Sequence, residues 1–302
     1  MLHGARVRPR WRVVPSRSMA PAGRAPVIIE AAINGNTTKS VNPAVPRSPT
    51  EIAECAIECL DRGAAIVHNH NDEPNVGGPP RHDPAPYVEA WREVLAVHPR
   101  ALLHPTVRGA SEDAPIEDRY AHVLALHDAD VLPMASADPG FVSIGPFVYG
   151  NSPTDTSYMF EWVRKMDVPV HVSVFEPGFL RTVLAHQRAG TLPRRVKLQL
   201  YFGDRVPFGL PPTKPSLDAY VAMLEGSGLT WMVGVLGGDV LASGMAAWAI
   251  EAGGHVRVGL EDFYDRHTNP SNEDLVVRAV ELVRTLGHDV ATCEQALDIL
   301  HG

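Results

Sequence analysis

No apolar run among the 302 residues reaches the roughly 18–20 needed to cross a bilayer, so no membrane partner is expected. Cysteine is scarce. Cys55, Cys59 and Cys293 are an odd number without paired spacings, which argues against a disulfide framework and suits a reducing compartment, the cytoplasm. Aromatic residues are few at 7%, the net charge is −8, and no Lys/Arg stripe interleaves with aromatics in the body of the chain. Nucleic acid is therefore not an expected partner. No G-x-G-x-x-G follows the first apolar run and no P-loop occurs, so the usual phosphate cradles are missing. Acidic residues are absent before Glu30, where Arg6, Arg8, Arg10, Arg12, Arg17 and Arg24 cluster. Such a leader can be a transit peptide. Here residues 1–26 read better as a disordered tail, or as an extension upstream of a protein starting at Met19, because Met19-Ala20-Pro21-Ala22-Gly23 leads directly into the first strand. No apolar stretch follows the arginines, which excludes a secretory signal.

What the chain does have is alternation. β-prone runs at 27–32, 65–67, 101–104, 131–134, 168–174, 196–202, 229–235 and 255–258 are separated by helix-period stretches at 49–62, 84–97, 116–127, 156–165, 178–189, 216–225, 241–251 and 272–286. Ser48-Pro49-Thr50-Glu51 carries a capping serine, a first-turn proline and an N3 carboxylate, while Gly63 and Gly253-Gly254 supply helix stops. Eight strand–helix units without consecutive hairpins, repeats or low-complexity linkers predict one α/β domain over 27–302, a (β/α)8 TIM barrel rather than an open doubly wound sheet.

Two phrases carry chemistry. Val67-His68-Asn69-His70-Asn71-Asp72 ends the apolar run Ala64-Ala65-Ile66-Val67, and His68 and His70, two apart on a strand, share a face. His255-Val256-Arg257-Val258-Gly259-Leu260-Glu261-Asp262 ends the eighth strand with an arginine and adjacent carboxylates. Alone, a His-x-His can bond loop backbone, a Glu-Asp pair can cap a helix, and Arg257 can serve a structural salt bridge. In a barrel both phrases meet at the C-terminal rim, where active sites lie. Two imidazoles and one carboxylate with a position left open describe a catalytic zinc, although another divalent metal would fit. Arg257 beside Asp262 would keep that carboxylate ionised as a general base. The same rim carries Asn34 and Asn36, His104 and Thr106, Ser136 and Asp138, Ser173 and Glu176, and Gln199 and Tyr201. Asn34, Asn36, Ser136, Asp138 and Glu176 are the candidate substrate contacts, and Glu176 reads equally as a helix cap. Cys55 and Cys59, four apart, read as small buried apolar residues more than as ligands.

With Ala31-Ala32-Ile33-Asn34-Gly35-Asn36-Thr37-Thr38, Asn42-Pro43-Ala44-Val45-Pro46, Lys197-Leu198-Gln199-Leu200, Ser271-Asn272 and Ala291-Thr292-Cys293-Glu294-Gln295-Ala296, these phrases make the chain resemble the β-keto acid cleavage enzymes, the family of 3-keto-5-aminohexanoate cleavage enzyme, from Val27 to Leu300. The resemblance implies a zinc-dependent barrel that reacts a β-keto acid with acetyl-CoA, giving acetoacetate and a new acyl-CoA by a retro-Claisen step. It implies His68, His70 and Glu261 as zinc ligands, Arg257 and Asp262 as the proton-moving dyad, and a homo-oligomer, a dimer or tetramer. The departures bear on substrate. The glutamate of amino-substrate members is missing from Gly35-Asn36-Thr37, so a cationic amino keto acid is not expected. The family's proton-assisting serine is replaced by Pro105, with Thr106 as substitute. Val235-Leu236-Gly237-Gly238 lacks an arginine at Gly238, and Ser136 to Phe141 and Gly203 to Pro207 are altered. Arg108 and Arg205 are candidate contacts for a CoA phosphate. Competing readings are a CoA-independent metal aldolase or lyase and a metal-binding ligand sensor without catalysis. Hydrolytic zinc barrels place His-x-His after the first strand with further histidines on strands five and six, where this chain has only His171.

Overall fold

The computed structural model describes residues 25–74, 78–79, 81–110, 114–144 and 147–301. All but the last two residues of the Arg-rich leader lie outside the described residues. In chain order the elements are β1 (Ile29–Ala32), α1 (Pro49–Arg62), β2 (Ile66–Asn69), α2 (Ala85–Val97), β3 (Leu102–Pro105), α3 (Ile116–Arg119), α4 (Ala121–Asp128), β4 (Ala135–Ala137), β5 (Phe141–Ile144), β6 (Phe147–Gly150), α5 (Pro153–Met166), β7 (Val170–Val174), α6 (Pro177–Arg188), β8 (Val196–Gly203), α7 (Lys214–Leu224), β9 (Thr230–Leu236), α8 (Met245–Glu251), β10 (His255–Val258), α9 (Asn272–Thr285) and α10 (Cys293–His301).

Ser48, Ser152 and Ser271 open α1, α5 and α9 alike: each hydroxyl accepts the N3 amide and an acidic N3 side chain answers the cap's own N–H. Two of the four orphan donors at each start are thereby satisfied. At the other end of α1, Gly63 adopts φ 116° and returns its N–H to the last turn.

Eight parallel strands run in the order β3-β2-β1-β10-β9-β8-β7-β4, a nearly closed (β/α)8 barrel with helices between strands. The open seam lies between β3 and β4, and side chains bridge it. Ser136 Oγ donates to the Pro105 carbonyl at 2.6 Å and stands 2.9 Å from His104 Nδ1. A second cluster, with Ile28, Ile66, Leu102, Met134, Met232, Ala296 and Leu300, joins the strand starts to α10, which plugs the N-terminal end of the barrel. Chemistry is left to the other end.

Three expectations about local structure need correction. The fourth strand is β4, 135–137 rather than 131–134. Pro133 has no N–H for a ladder, and the Val131 amide is spent on Leu126 at the end of α4, so pairing starts only where Ala135 N meets Pro169 O. Ser136 is thus within the strand rather than after it. The stretch 116–127 divides at Tyr120 into α3 and α4. Between β4 and α5 stands an unforeseen antiparallel hairpin, β5 against β6, which arches over the barrel mouth.

Candidate active site

β2 and the residue after it carry His68 and His70 into the mouth of the barrel, with Glu261 facing them from beyond β10. His68 Nε2 lies 3.2 Å from Glu261 Oε2, and His70 Nε2 lies 3.5 Å from Glu261 Oε1. One ligand atom from each residue falls within 4.8 Å of the others. His68 Nδ1 is 3.0 Å from the His104 carbonyl. A carbonyl only accepts, so Nδ1 carries the proton and Nε2 presents its lone pair to the triad. Burial lowers the pKa of His70. Burial by itself would raise that of Glu261, but the Arg257 guanidinium beside it outweighs this and holds the carboxyl well below its ordinary value. Neutral imidazoles and an ionised carboxylate are what a divalent cation requires. Glu261 Oε2 is buried without a hydrogen-bond donor, as a ligand oxygen facing a cation would be. The residues fit a metal.

Backbone chemistry fixes these ligands. Asn34 does not line the cavity. Its carbonyl oxygen accepts from Gly35 N (2.7 Å) and His70 N (2.8 Å), and its amide donates to the His70 (3.0 Å) and Pro46 (3.1 Å) carbonyls. It is a brace for His70. Gly35 has φ +52°, and a Cβ there would stand 2.2 Å from Glu261 Cγ. Gly35→Ala is therefore expected to push Glu261 off the triad and lower metal affinity about 10- to 100-fold, the range over which disturbed ligand support is felt. Competition with a calibrated chelator measures this, and unchanged affinity would exclude the close approach as a determinant.

Beneath the triad lies a buried ionic network. Arg257 gives Nε and Nη2 to the two oxygens of Asp262 (2.8 and 2.9 Å), Nη2 also to Glu261 (3.1 Å), and Nη1 to Glu30 (3.0 Å). Glu30 and Arg257 are fully buried, and Lys197 Nζ donates to the other oxygen of Glu30. Burial alone would raise the pKa of Glu30, yet Lys197, His104 and His171 hold it well below the usual range. Burial pushes Asp262 up, against the pull of Arg257. His68, His104 and His171 stack in sequence, with centroids 4.5 and 4.2 Å apart. Glu30, His104 and His171 also converge as a donor cluster, but both oxygens of Glu30 are already taken by Lys197 and Arg257. Sequence reasoning missed Glu30 and Lys197. The available signal was parity, since Glu30, Lys197 and Arg257 each stand one charge deep in an apolar strand.

A cavity of about 480 Å³ opens over the triad, lined by Asn36, Thr106, Ser136 and Asp138 among the expected contacts, and by Asp262. Asp138 accepts the Tyr149 hydroxyl and is bonded by Ser173. Glu176 is elsewhere. It takes the N-cap position of α6 without a capping bond and accepts from Gly209 N at 3.3 Å, so it is not a cavity contact. Arg205 reaches the mouth, whereas Arg108 is buried and donates to Gly78 O at 2.7 Å. Cys55 and Cys59 approach Glu273. A hydrogen bond with Cys55 and burial push the Cys59 thiol well up, which keeps it the small neutral group expected of it.

The family model described as beta-keto acid cleavage enzyme matches residues 26–301. A 3-keto-5-aminohexanoate cleavage enzyme of Fusobacterium nucleatum is 30% identical over 91% of this chain and 97% of its own. A 3-oxoadipate:acetyl-CoA acetyltransferase of Cupriavidus necator is 29% identical over 91% and 94%, and a 3-dehydrocarnitine:acetyl-CoA trimethylamine transferase of Rhizobium meliloti is 28% identical over 89% and 94%. The solved structure of ObcA in binary complex with oxaloacetate shares the fold, with a TM-score of 0.66 at 20% identity over 85% of this chain and 67% of that one.

Proposed function

The chain belongs to the beta-keto acid cleavage enzyme family, and from that premise we propose that it is a zinc-dependent acyltransferase that joins a β-keto acid to acetyl-CoA and cleaves the adduct to acetoacetate and a new acyl-CoA. The observation that carries this reading is the convergence of His68, His70 and Glu261 with the Arg257–Asp262 pair on one cavity. His68, His70 and Glu261 would hold the metal, which when bound supplies Lewis-acid polarisation of the substrate oxygens. Glu30, Glu261 and Asp262 set three carboxylates against the two cations Lys197 and Arg257 on this floor. A divalent ion would turn the local balance positive, as binding of an anionic keto acid needs.

Asp262 takes the proton from the carbon between the two carbonyl groups of the substrate, and Arg257 holds both carboxylate oxygens in place as it does so. The carbon then attacks the acetyl thioester. Loss of the original acyl group to the freed CoA thiol balances the exchange. Thr106 and Asn36 line the same cavity as Asp262, and Thr106 is our candidate for passing the proton on. Arg205 at the mouth suits a CoA phosphate. The three cysteines are free, which fits the cytoplasm, and no helix among the described residues is long and apolar enough to cross a membrane. The hairpin leaves Phe141, Phe147 and Val148 exposed, which supports a dimer or tetramer.

The test is product analysis by mass spectrometry on zinc-loaded protein given β-keto acids with and without acetyl-CoA. Acetoacetate and a new CoA ester should form only when both are present. Cleavage without CoA would move the protein to a metal lyase, and metal binding without turnover would favour a ligand sensor. In parallel, His68→Ala should lower bound zinc from one ion per chain to a small fraction of that, read by metal analysis after gel filtration. Full zinc occupancy in this variant would remove His68 from the ligand set.

A further inference from the structure

Once the keto-acid head is engaged by the metal and the dyad, the substituent on the far side of the keto group must lie against the rest of the cavity. This step rests on the reaction just proposed and asks what those walls accept. Three kinds of charged tail can be tested against them.

A primary ammonium needs an acid with room for it. Outside Glu261 and Asp262, the carboxylate that lines the cavity among the described residues is Asp138, which is buried. Tyr149 gives it a hydroxyl and Ser173 faces it as a further donor, so most of its acceptor capacity is taken inside the protein. A quaternary ammonium needs open aromatic faces. Phe147 and Tyr264 line the cavity only at its mouth, Phe147 exposed on the hairpin and Tyr264 beside Arg205, and Tyr201, nearer the metal and the dyad, has no face to offer. Phe175 stacks on it at 4.7 Å and 7°, and the Arg257 guanidinium sits over the ring at 5.2 Å. Phe175 in turn is packed edge to face by Tyr149, Phe179 and Phe208. A terminal carboxylate needs a cation. The arginine lining the cavity is Arg205, exposed at the mouth with its guanidinium 5.9 Å from the Tyr264 ring, while Arg257 is fully buried and engaged by three carboxylates. Beside the hydroxyls of Thr37, Thr38 and Ser173, the cavity has an apolar lining from Val41, Val107, Ile144, Phe175, Val206 and Leu236. The hairpin β5–β6 contributes Ile144.

We infer that the substrate is a β-keto acid whose tail is a short, uncharged alkyl group, held by this apolar wall. Burying each methylene there should raise kcat/KM about fourfold, from the transfer free energy of a CH₂ group. A charge in the same place would be desolvated without a partner.

Three six-carbon acids separate the possibilities because they differ chiefly in tail charge: 3-oxohexanoate, 3-oxoadipate and 3-keto-5-aminohexanoate. With zinc-loaded protein and acetyl-CoA, 3-oxohexanoate should exceed each of the other two in kcat/KM by at least about tenfold, and 3-oxopentanoate by about fourfold. A charged acid that equals or exceeds 3-oxohexanoate overturns the inference and leaves the reaction standing. If none is turned over, the reaction itself is refuted, and calorimetric titration of the same acids into zinc-loaded protein still decides the tail. Tighter binding of 3-oxohexanoate upholds the apolar wall, whereas equal or weaker binding, or none, sinks it.

Discussion

Asp262→Asn is expected to keep the fold and the bound zinc while lowering kcat by about 10²- to 10⁴-fold, the range that a positioned general base contributes. The substitution changes little in shape. An asparagine can still accept one of the two bonds that Arg257 gives to Asp262, and Arg257 retains Glu30 and Glu261 as anchors. What disappears is the basic oxygen facing the cavity. Burial raises the pKa of Asp262 above that of an ordinary aspartate, so in the native protein this carboxylate is a stronger base than its exposed counterpart. Because the substrate's head would be held chiefly by the metal, KM should move far less than kcat, as for a group whose interaction counts in the transition state. Steady-state kinetics with parallel metal analysis checks this. A variant with full zinc and more than about a tenth of native kcat would take the proton-handling role away from Asp262.

The cluster of His68, His70 and Glu261, which could hold a metal, was legible because its signal is local. His68 and His70 announce a shared face by spacing alone, and Glu261 follows a strand whose position in the barrel is set by counting units. The barrel was legible for a related reason: strands buried on both faces read as unbroken apolar runs, and capping serines mark where helices start. Signal failed where these rules lapse. β4 is Ala-Ser-Ala, with no β-branched residue to mark it, and the more apolar stretch just before it carries Pro133. The hairpin strands Phe141–Ile144 and Phe147–Gly150 flank Gly145-Pro146, a turn signal that the expectation of uninterrupted strand–helix units passed over. Asn34 and Glu176 show a deeper limit. The same residue type at a strand end serves substrate or backbone, and only hydrogen-bond partners tell which: the backbone of His70 for Asn34, Gly209 N for Glu176. Glu30 and Lys197 were hidden because a lone charge in a strand ordinarily marks a solvent face, and their pairing spans 167 residues of sequence.

That hidden pair yields the largest effect expected on stability. Lys197→Met should destabilise the protein by about 3–5 kcal/mol, the usual cost of breaking a buried ion pair from one side. Glu30 has no solvent to turn to, and of its two cations only Arg257, which also serves Glu261 and Asp262, would remain. A loss below about 1 kcal/mol in denaturant unfolding would mean that Glu30 is not held as a charge there. The companion Glu30→Leu/Lys197→Met removes both charges and leaves apolar groups of similar bulk, so most of the lost stability should return. Turnover should not return with it. Without Glu30, nothing among the described residues holds Nη1 of Arg257, and the guanidinium that sets the angle of Asp262 is anchored on one side only. A double variant that is stable, binds zinc with native affinity and has low kcat at unchanged KM would place Glu30 as a positioning residue for the dyad. One that regains both stability and kcat would show the pair to be structural alone. The distinction matters for the barrel as a whole: a polar interior layer that aliphatic side chains could replace without penalty to folding is explained only by what it does for the groups above it.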